Sequence, residues 1–152
     1  MRQATVCFLL RRHEVLLGLK KVRFGAGRYA GIGGGVEARE MPEQAALREL
    51  AEEIGVTVEE DQLQFRGEVT FLFSARPAWH QRVHIYTLTR WQGEPQESEE
   101  MRPEWFSVSA LPLDRMWADA AHWLPEVLTG KTVRLECVYA DDGATLSSVM
   151  AL

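Results

Sequence analysis

The chain has 152 residues, 46% hydrophobic and 26% charged, with a net charge of −5 and a pI of about 5.4. That length and composition suit one globular domain spanning residues 1–152. The acidic balance excludes the broad basic face that binds nucleic-acid polymers, and no apolar run is long enough for a membrane helix.

Arg11, Arg12 and His13 interrupt the apolar N-terminus too early for a signal peptide. Thr5–Leu10 and Val15–Lys20 are short apolar runs around a polar turn, the pattern of a hairpin. Phe24–Gly35 is dense in glycine and is predicted to be a loop with one short strand. Pro42 stands where a first helical residue belongs, Glu43–Ile54 has helical periodicity, and Gly55 is placed to end the helix. Met41 is a weak cap, because its side chain offers the free backbone N–H groups no good acceptor.

Gly67–Phe73 and Arg82–Trp91 are predicted strands, the second apolar on both faces. A loop with an acidic centre, Gln92–Pro103, leads to a short strand at Trp105–Val108. Asp119–Leu128 has helical composition, with Pro125 starting a new turn. Lys131–Tyr139 and Thr145–Met150 flank Asp141-Asp142-Gly143, a hairpin signal. The mixture predicts an α+β fold with a mixed, largely antiparallel sheet. Cys7 and Cys137 lie in apolar stretches without CxxC spacing, so both are expected as buried free thiols in a reducing, cytoplasmic compartment. Trp79, Trp91, Trp105 and Trp123 are expected in core or sheet packing.

The chemistry concentrates in the helix after Pro42. At 100° per residue, with Glu49 at zero, Glu53 falls at about +40° and Glu52 at about −60°. Leu50, Ile54 and Leu47 fall at roughly 100°, 140° and 160°, a separate apolar face. Arg48, four residues before Glu52, is placed to pair with it. Three carboxylates on one stripe repel one another unless a cation joins them, and oxygen donors of this kind suit Mg²⁺ or Mn²⁺ with a phosphate ester or anhydride. Acidic helix faces are usually solvated surface. The full spacing is far more specific: Gly34, five residues, Glu40, seven residues, Arg48-Glu49-Leu50, one residue, Glu52-Glu53, one residue, Gly55-Val56. Average residue usage gives it a chance occurrence on the order of 10⁻⁹ per starting position.

This spacing is that of the Nudix box, and the chain resembles the Nudix hydrolases, which cleave nucleoside diphosphates linked to another group. The resemblance implies an α/β/α sandwich with the box as a loop–helix–loop. It also implies that Glu49, Glu52, Glu53 and the carbonyl of Gly33 hold the divalent ions, that Arg48 orients a glutamate, and that Glu40 braces the loop. Glu53 is the first candidate to take the proton from the attacking water, and Glu100, in the acidic loop, is the second candidate and a further metal ligand.

Outside the box, VLLGLKKVRFGAGRYAGIGGGVE, ESEEMRPEWF and DRMWADAAHWLP resemble the MutT-like branch that hydrolyses oxidised purine nucleoside triphosphates such as 8-oxo-dGTP. That resemblance implies a nucleotide site of Thr5, Lys20, Phe24, Phe71, Trp117 and Asp119, serving a small nucleotide in a monomer without a nucleic-acid or membrane partner. Ala30 and Ala120 depart from the branch, which has asparagine and a second aspartate there. A carboxylate pair can share a proton and so change its donor pattern, whereas one ionised aspartate only accepts. Guanine-type preference, or weak base discrimination, is therefore expected rather than breadth across oxidised guanine and adenine. The two alanines also leave open a dinucleoside polyphosphate, a nucleotide sugar or an ordinary dNTP as substrate. A non-catalytic nucleotide-binding module is a third reading, disfavoured by the intact Arg48, Glu49, Glu52 and Glu53.

Overall fold

The computed structural model describes residues 1–152. In chain order the strands are β1 (Arg2–Arg11), β2 (Glu14–Lys20), β3 (Tyr29–Ala30), β4 (Ile32–Gly35), β5 (Gln64–Phe73), β6 (Gln81–Leu88), β7 (Met101–Ser107), β8 (Val133–Tyr139) and β9 (Leu146–Ala151). Helix α1 (Pro42–Ile54) follows β4, and the short helix α2 (Leu124–Leu128) follows β7.

β1 is the spine, because its residues are apolar on both faces. Cys7 and Leu9 point to one side, Phe8 to the other, and all three are buried. β1 pairs antiparallel with β4 and parallel with β6; β5 joins β6 antiparallel and β8 parallel, and β9 closes the edge. At Leu10 and Arg11, β1 turns to pair with Val15 and Glu14 of β2. β2 lies between β3 and β7, both antiparallel to it.

On one face, Ala46, Leu50 and Ile54 of α1 pack on Cys7, Leu9, Tyr86 and Leu88. On the other, Trp123, Leu124 and Val127 pack on Phe8, Val69 and Ile85, with a 3₁₀ turn at Ala118–His122 completing that layer. The result is the expected α+β fold, an α/β/α sandwich on a mixed sheet. No helix is long and apolar enough to cross a membrane. Cys7 and Cys137 are buried and unpaired, as expected.

α1 starts and stops where the sequence indicates. Met41 makes no side-chain cap, but Gln44 Oε1 reaches back 2.8 Å to accept its N–H. Gly55 adopts φ 72°, and its N–H and that of Val56 donate to the carbonyls of Ala51 and Leu50, closing the last turn.

Several boundaries differ from expectation, among them Asp119–Leu128, which is a 3₁₀ turn at Ala118–His122 followed by the five-residue α2, and β5, which starts at Gln64. The glycine-rich stretch holds two short strands, because the backbone of Ile32–Gly35 pairs with Cys7–Ala4 of β1. The acidic loop ends before Met101, not at Pro103: Pro103 sits in β7 opposite Gly18, and β7 pairs only with β2, so its missing N–H breaks no ladder on the free edge. β6 ends at Leu88 rather than Trp91, and Gln92 forms an isolated bridge with Thr57 instead.

Leu50 anchors α1 and is fully buried. Leu50→Ala is expected to cost about 3 kcal/mol in transfer and cavity terms. Urea unfolding checks this: the midpoint should fall with an unchanged slope.

Candidate active site

Arg48 organises the charged face of α1. Its Nε and Nη2 donate to the two carboxylate oxygens of Glu40 at 2.9 and 3.0 Å, a bidentate pair. Nη2 also donates to the Gly35 carbonyl at 2.9 Å, and Nη1 to Glu49 at 2.9 Å and Glu52 at 3.4 Å. The hydrogen bonds from Arg48, then one from the Glu37 N–H, hold Glu40 down to about 2. Gly34 lies directly under this arrangement. A Cβ there would stand 2.6 Å from the Glu49 carboxylate and displace it, and a Cβ at Gly33 would run into the Thr5 carbonyl, where only bare backbone fits.

The expected Arg48–Glu52 pair is therefore present, but it is the weakest of the set. It leaves Glu52 on the rim, 61% exposed, while Glu49 and Glu53 turn inward. Glu53 Oε2 is buried and has no hydrogen-bond partner. Burial, then the adjacent Glu49 through hydrogen bonding and charge, and then Glu100 push Glu53 up to about 8, with Lys20 pulling the other way. Glu100 is thus brought within electrostatic reach of Glu53, although its carboxylate pairs with Arg23 at 3.3 Å.

A buried carboxylate oxygen without a partner, beside a second carboxylate, is the donor set a hard divalent cation satisfies. The residues present fit such an ion. No three acidic, histidine or cysteine side chains converge on one point in this structure, because Glu52 is held outward by Arg48 and Glu100 by Arg23.

The opposite face of the sheet carries a cavity of about 190 Å³. Phe24, Phe71, Trp117 and Asp119 line it, together with Ala30 and Ala120. Phe24 stacks on Trp117 with centroids 5.2 Å apart, and the Arg28 guanidinium lies 4.0 Å from the same ring. Trp117 therefore spends part of its aromatic surface on protein partners.

Thr5 and Lys20 do not line this cavity. Strand alternation puts Thr5 on the α1 side with Cys7, where its hydroxyl is buried without a partner. Lys20, at the end of β2, acts on Glu53 instead, which places its charge toward the carboxylate site.

Aromatic residues absent from the sequence reading of the site also line the cavity, among them Phe73, Trp123 and Tyr139. Trp79, expected in packing, is 38% exposed and meets both Phe24 and Phe73. Tyr139 lines the cavity and donates its hydroxyl to Asp119 at 2.5 Å. The signal for Tyr139 was its place at the end of a strand, but only the sheet order puts it beside Asp119.

The NUDIX domain family matches residues 1–127. The chain is 44% identical over 127 residues to the Oxidized purine nucleoside triphosphate hydrolase of Danio rerio, covering 84% of this chain and 80% of that protein. It is 40% identical over 146 residues to the protein of the same name from Mus musculus, covering 96% of this chain and 92% of that one. The fold matches the crystal structure of a mutator MutT protein from Bacillus halodurans with a TM-score of 0.83 at 24% identity, covering 99% of this chain and 97% of that chain. With the box residues gathered around Arg48 and the family match spanning most of its length, the chain belongs to the NUDIX domain family and is a Nudix hydrolase.

Proposed function

We propose that the chain hydrolyses oxidised purine nucleoside triphosphates of the 8-oxo-dGTP type to the monophosphate and pyrophosphate, with Mg²⁺ or Mn²⁺. The observation that carries the substrate class is the cavity, where one buried carboxylate, Asp119, stands among aromatic and aliphatic side chains. Such a pocket takes a flat apolar ring and orients it by one polar edge. The names of the two vertebrate relatives support the same reading.

Glu49, Glu52, Glu53, Glu100 and the Gly33 carbonyl would hold the divalent ions, which when bound stabilise charge on the phosphate oxygens and leaving group. The chain's own residues divide the remaining work. Asp119 and the aromatic walls hold the base. The charge of Lys20 lies between base and carboxylates, where it attracts the phosphates. Arg48 fixes Glu49 through Nη1. Glu53 Oε2, buried and without a partner, takes the proton as water attacks phosphorus, the anhydride P–O bond breaks and pyrophosphate leaves. Glu100 is the second candidate for that proton. The reading includes a single domain over residues 1–152, working as a cytoplasmic monomer on a free nucleotide.

Glu53→Gln should lower pyrophosphate release by about 10³-fold, the size of a lost general base. Its melting temperature should not fall, because glutamine keeps the shape of Glu53 and its amide can donate to Glu49. Turnover within tenfold of wild type would move the proton to Glu100. Mg²⁺ should raise the melting temperature of the wild type more than that of Glu53→Gln, by preferential binding to the native state; equal shifts would remove Glu53 from the ligand set. In a substrate panel, kcat/KM should be higher for 8-oxo-dGTP than for dATP, because one acceptor carboxylate matches the paired donors of the guanine edge and unoxidised adenine has no such pair. Equal efficiency would sink the single-carboxylate argument, and best turnover of a dinucleoside polyphosphate or nucleotide sugar would replace the substrate class.

A further inference from the structure

Asp119 is held by a closed set of hydrogen bonds. Tyr139 Oη donates to its Oδ1 at 2.5 Å, and Trp123 Nε1 donates to its Oδ2 at 2.8 Å. The backbone N–H of Asp119 donates in turn to Tyr139 Oη at 3.1 Å. All three side chains line the cavity, and Asp119, Tyr139 and Trp123 are all buried.

The directions of these bonds are forced. An indole N–H only donates. The Tyr139 oxygen accepts from the Asp119 amide, so its single proton goes to Oδ1. Burial, then the charge of Asp119, push the Tyr139 phenol upward, so it keeps that proton. Both carboxylate oxygens therefore serve as acceptors toward the protein, and each has acceptor capacity left for a ligand. Ala120, next in the chain and also lining the cavity, offers no second carboxylate with which a proton could be shared.

We propose that Tyr139 and Trp123 are specificity-determining positioning residues: they hold Asp119 in an acceptor-only form, so the cavity selects a base edge with two adjacent donors. The N1–H and exocyclic amine of a guanine-type base form such an edge. Unoxidised adenine has a ring-nitrogen acceptor on each side of its amine, so either edge sets an acceptor against a carboxylate lone pair. Accepting that edge needs a proton on Asp119, which turns one oxygen into a hydroxyl and weakens the bond from Tyr139 or Trp123. A hydrogen bond to a charged group is worth roughly tenfold to a hundredfold in an equilibrium constant. This proposal rests on the purine triphosphate reading above.

The test is the ratio of kcat/KM for 8-oxo-dGTP over dATP, which has no adjacent donor pair, in wild type and in Tyr139→Phe. The ratio cancels any difference in the fraction of folded enzyme, so a merely structural role does not move it. Tyr139→Phe keeps the ring and removes the donor, and the ratio should fall about tenfold. The change should appear in KM, with kcat for 8-oxo-dGTP little altered, because the reacting phosphates lie at the carboxylates across the sheet. A ratio within about twofold of wild type would overturn the proposal. If Tyr139→Phe fails to fold, Trp123→Phe removes the other donor and is held to the same limits. A wild type that hydrolyses no purine triphosphate would overturn the substrate reading itself, a result distinct from an unmoved ratio.

Discussion

The guanidinium of Arg48 reaches four groups through five hydrogen bonds from one position on α1. It grips Glu40 with two bonds, takes the carbonyl of Gly35 at the end of β4, and draws Glu49 and Glu52 toward itself. Its planar fork meets the Glu40 carboxylate edge-on while its other N–H groups remain free to point elsewhere, which a lysine cannot do. Those bonds set the distance between the glycine loop and the helix, and that distance is short enough that a Cβ at Gly34 would push on the Glu49 carboxylate. They also decide which carboxylate turns in and which turns out. With Glu49 pinned and Glu52 drawn to the rim, Glu53 is left alone in the buried position.

The sheet separates two tasks. On the α1 side are the carboxylates, Thr5 and the glycine loop; on the α2 side is the cavity with Asp119. β1 supplies residues to both sides by alternation, and Lys20 at the end of β2 extends charge toward Glu53. A nucleotide that uses both would place its base on one side of this spine and its phosphates on the other. Changes in base preference can then arise in the α2 layer without disturbing the residues around Arg48.

The sequence made the α1 side legible and the cavity only partly so, for a physical reason. Helical spacing is local, so the faces of Glu49, Glu53, Leu50 and Ile54 follow from their numbers alone, and α1 begins at Pro42 and ends before Gly55 as that spacing implies. The rotamer choice that sends Glu52 outward depends on competition for Arg48 among Glu40, Glu49 and a carbonyl, which no spacing records. The cavity gathers Phe24, Phe71, Asp119 and Tyr139 from separate segments, and their meeting depends on strand order. Phe24, Phe71 and Asp119 were reached through resemblance. Tyr139 and Trp123 were not among the residues the sequence named for the site, and Thr5, which it did name, lies on the α1 face, a parity that spacing alone does not assign.

β1, at the start of the chain, lies in the middle of the sheet. Arg2 sits opposite Gln81 and Leu9 opposite Leu88, in a parallel pair that no tight turn can bring together. Closing that long loop has an entropic cost that must be met before the pairing contributes anything, which slows folding. The floor beneath α1 is shared: Cys7 and Leu9 of β1, Ile32 of β4, and Tyr86 and Leu88 of β6 belong to one cluster with it. Leu50 and Ile54 therefore have no complete surface to settle on until the chain has come round, and the crowded glutamates of the same helix are forced together only at that late stage. Their mutual repulsion burdens the final docking of α1, not the early collapse of the chain.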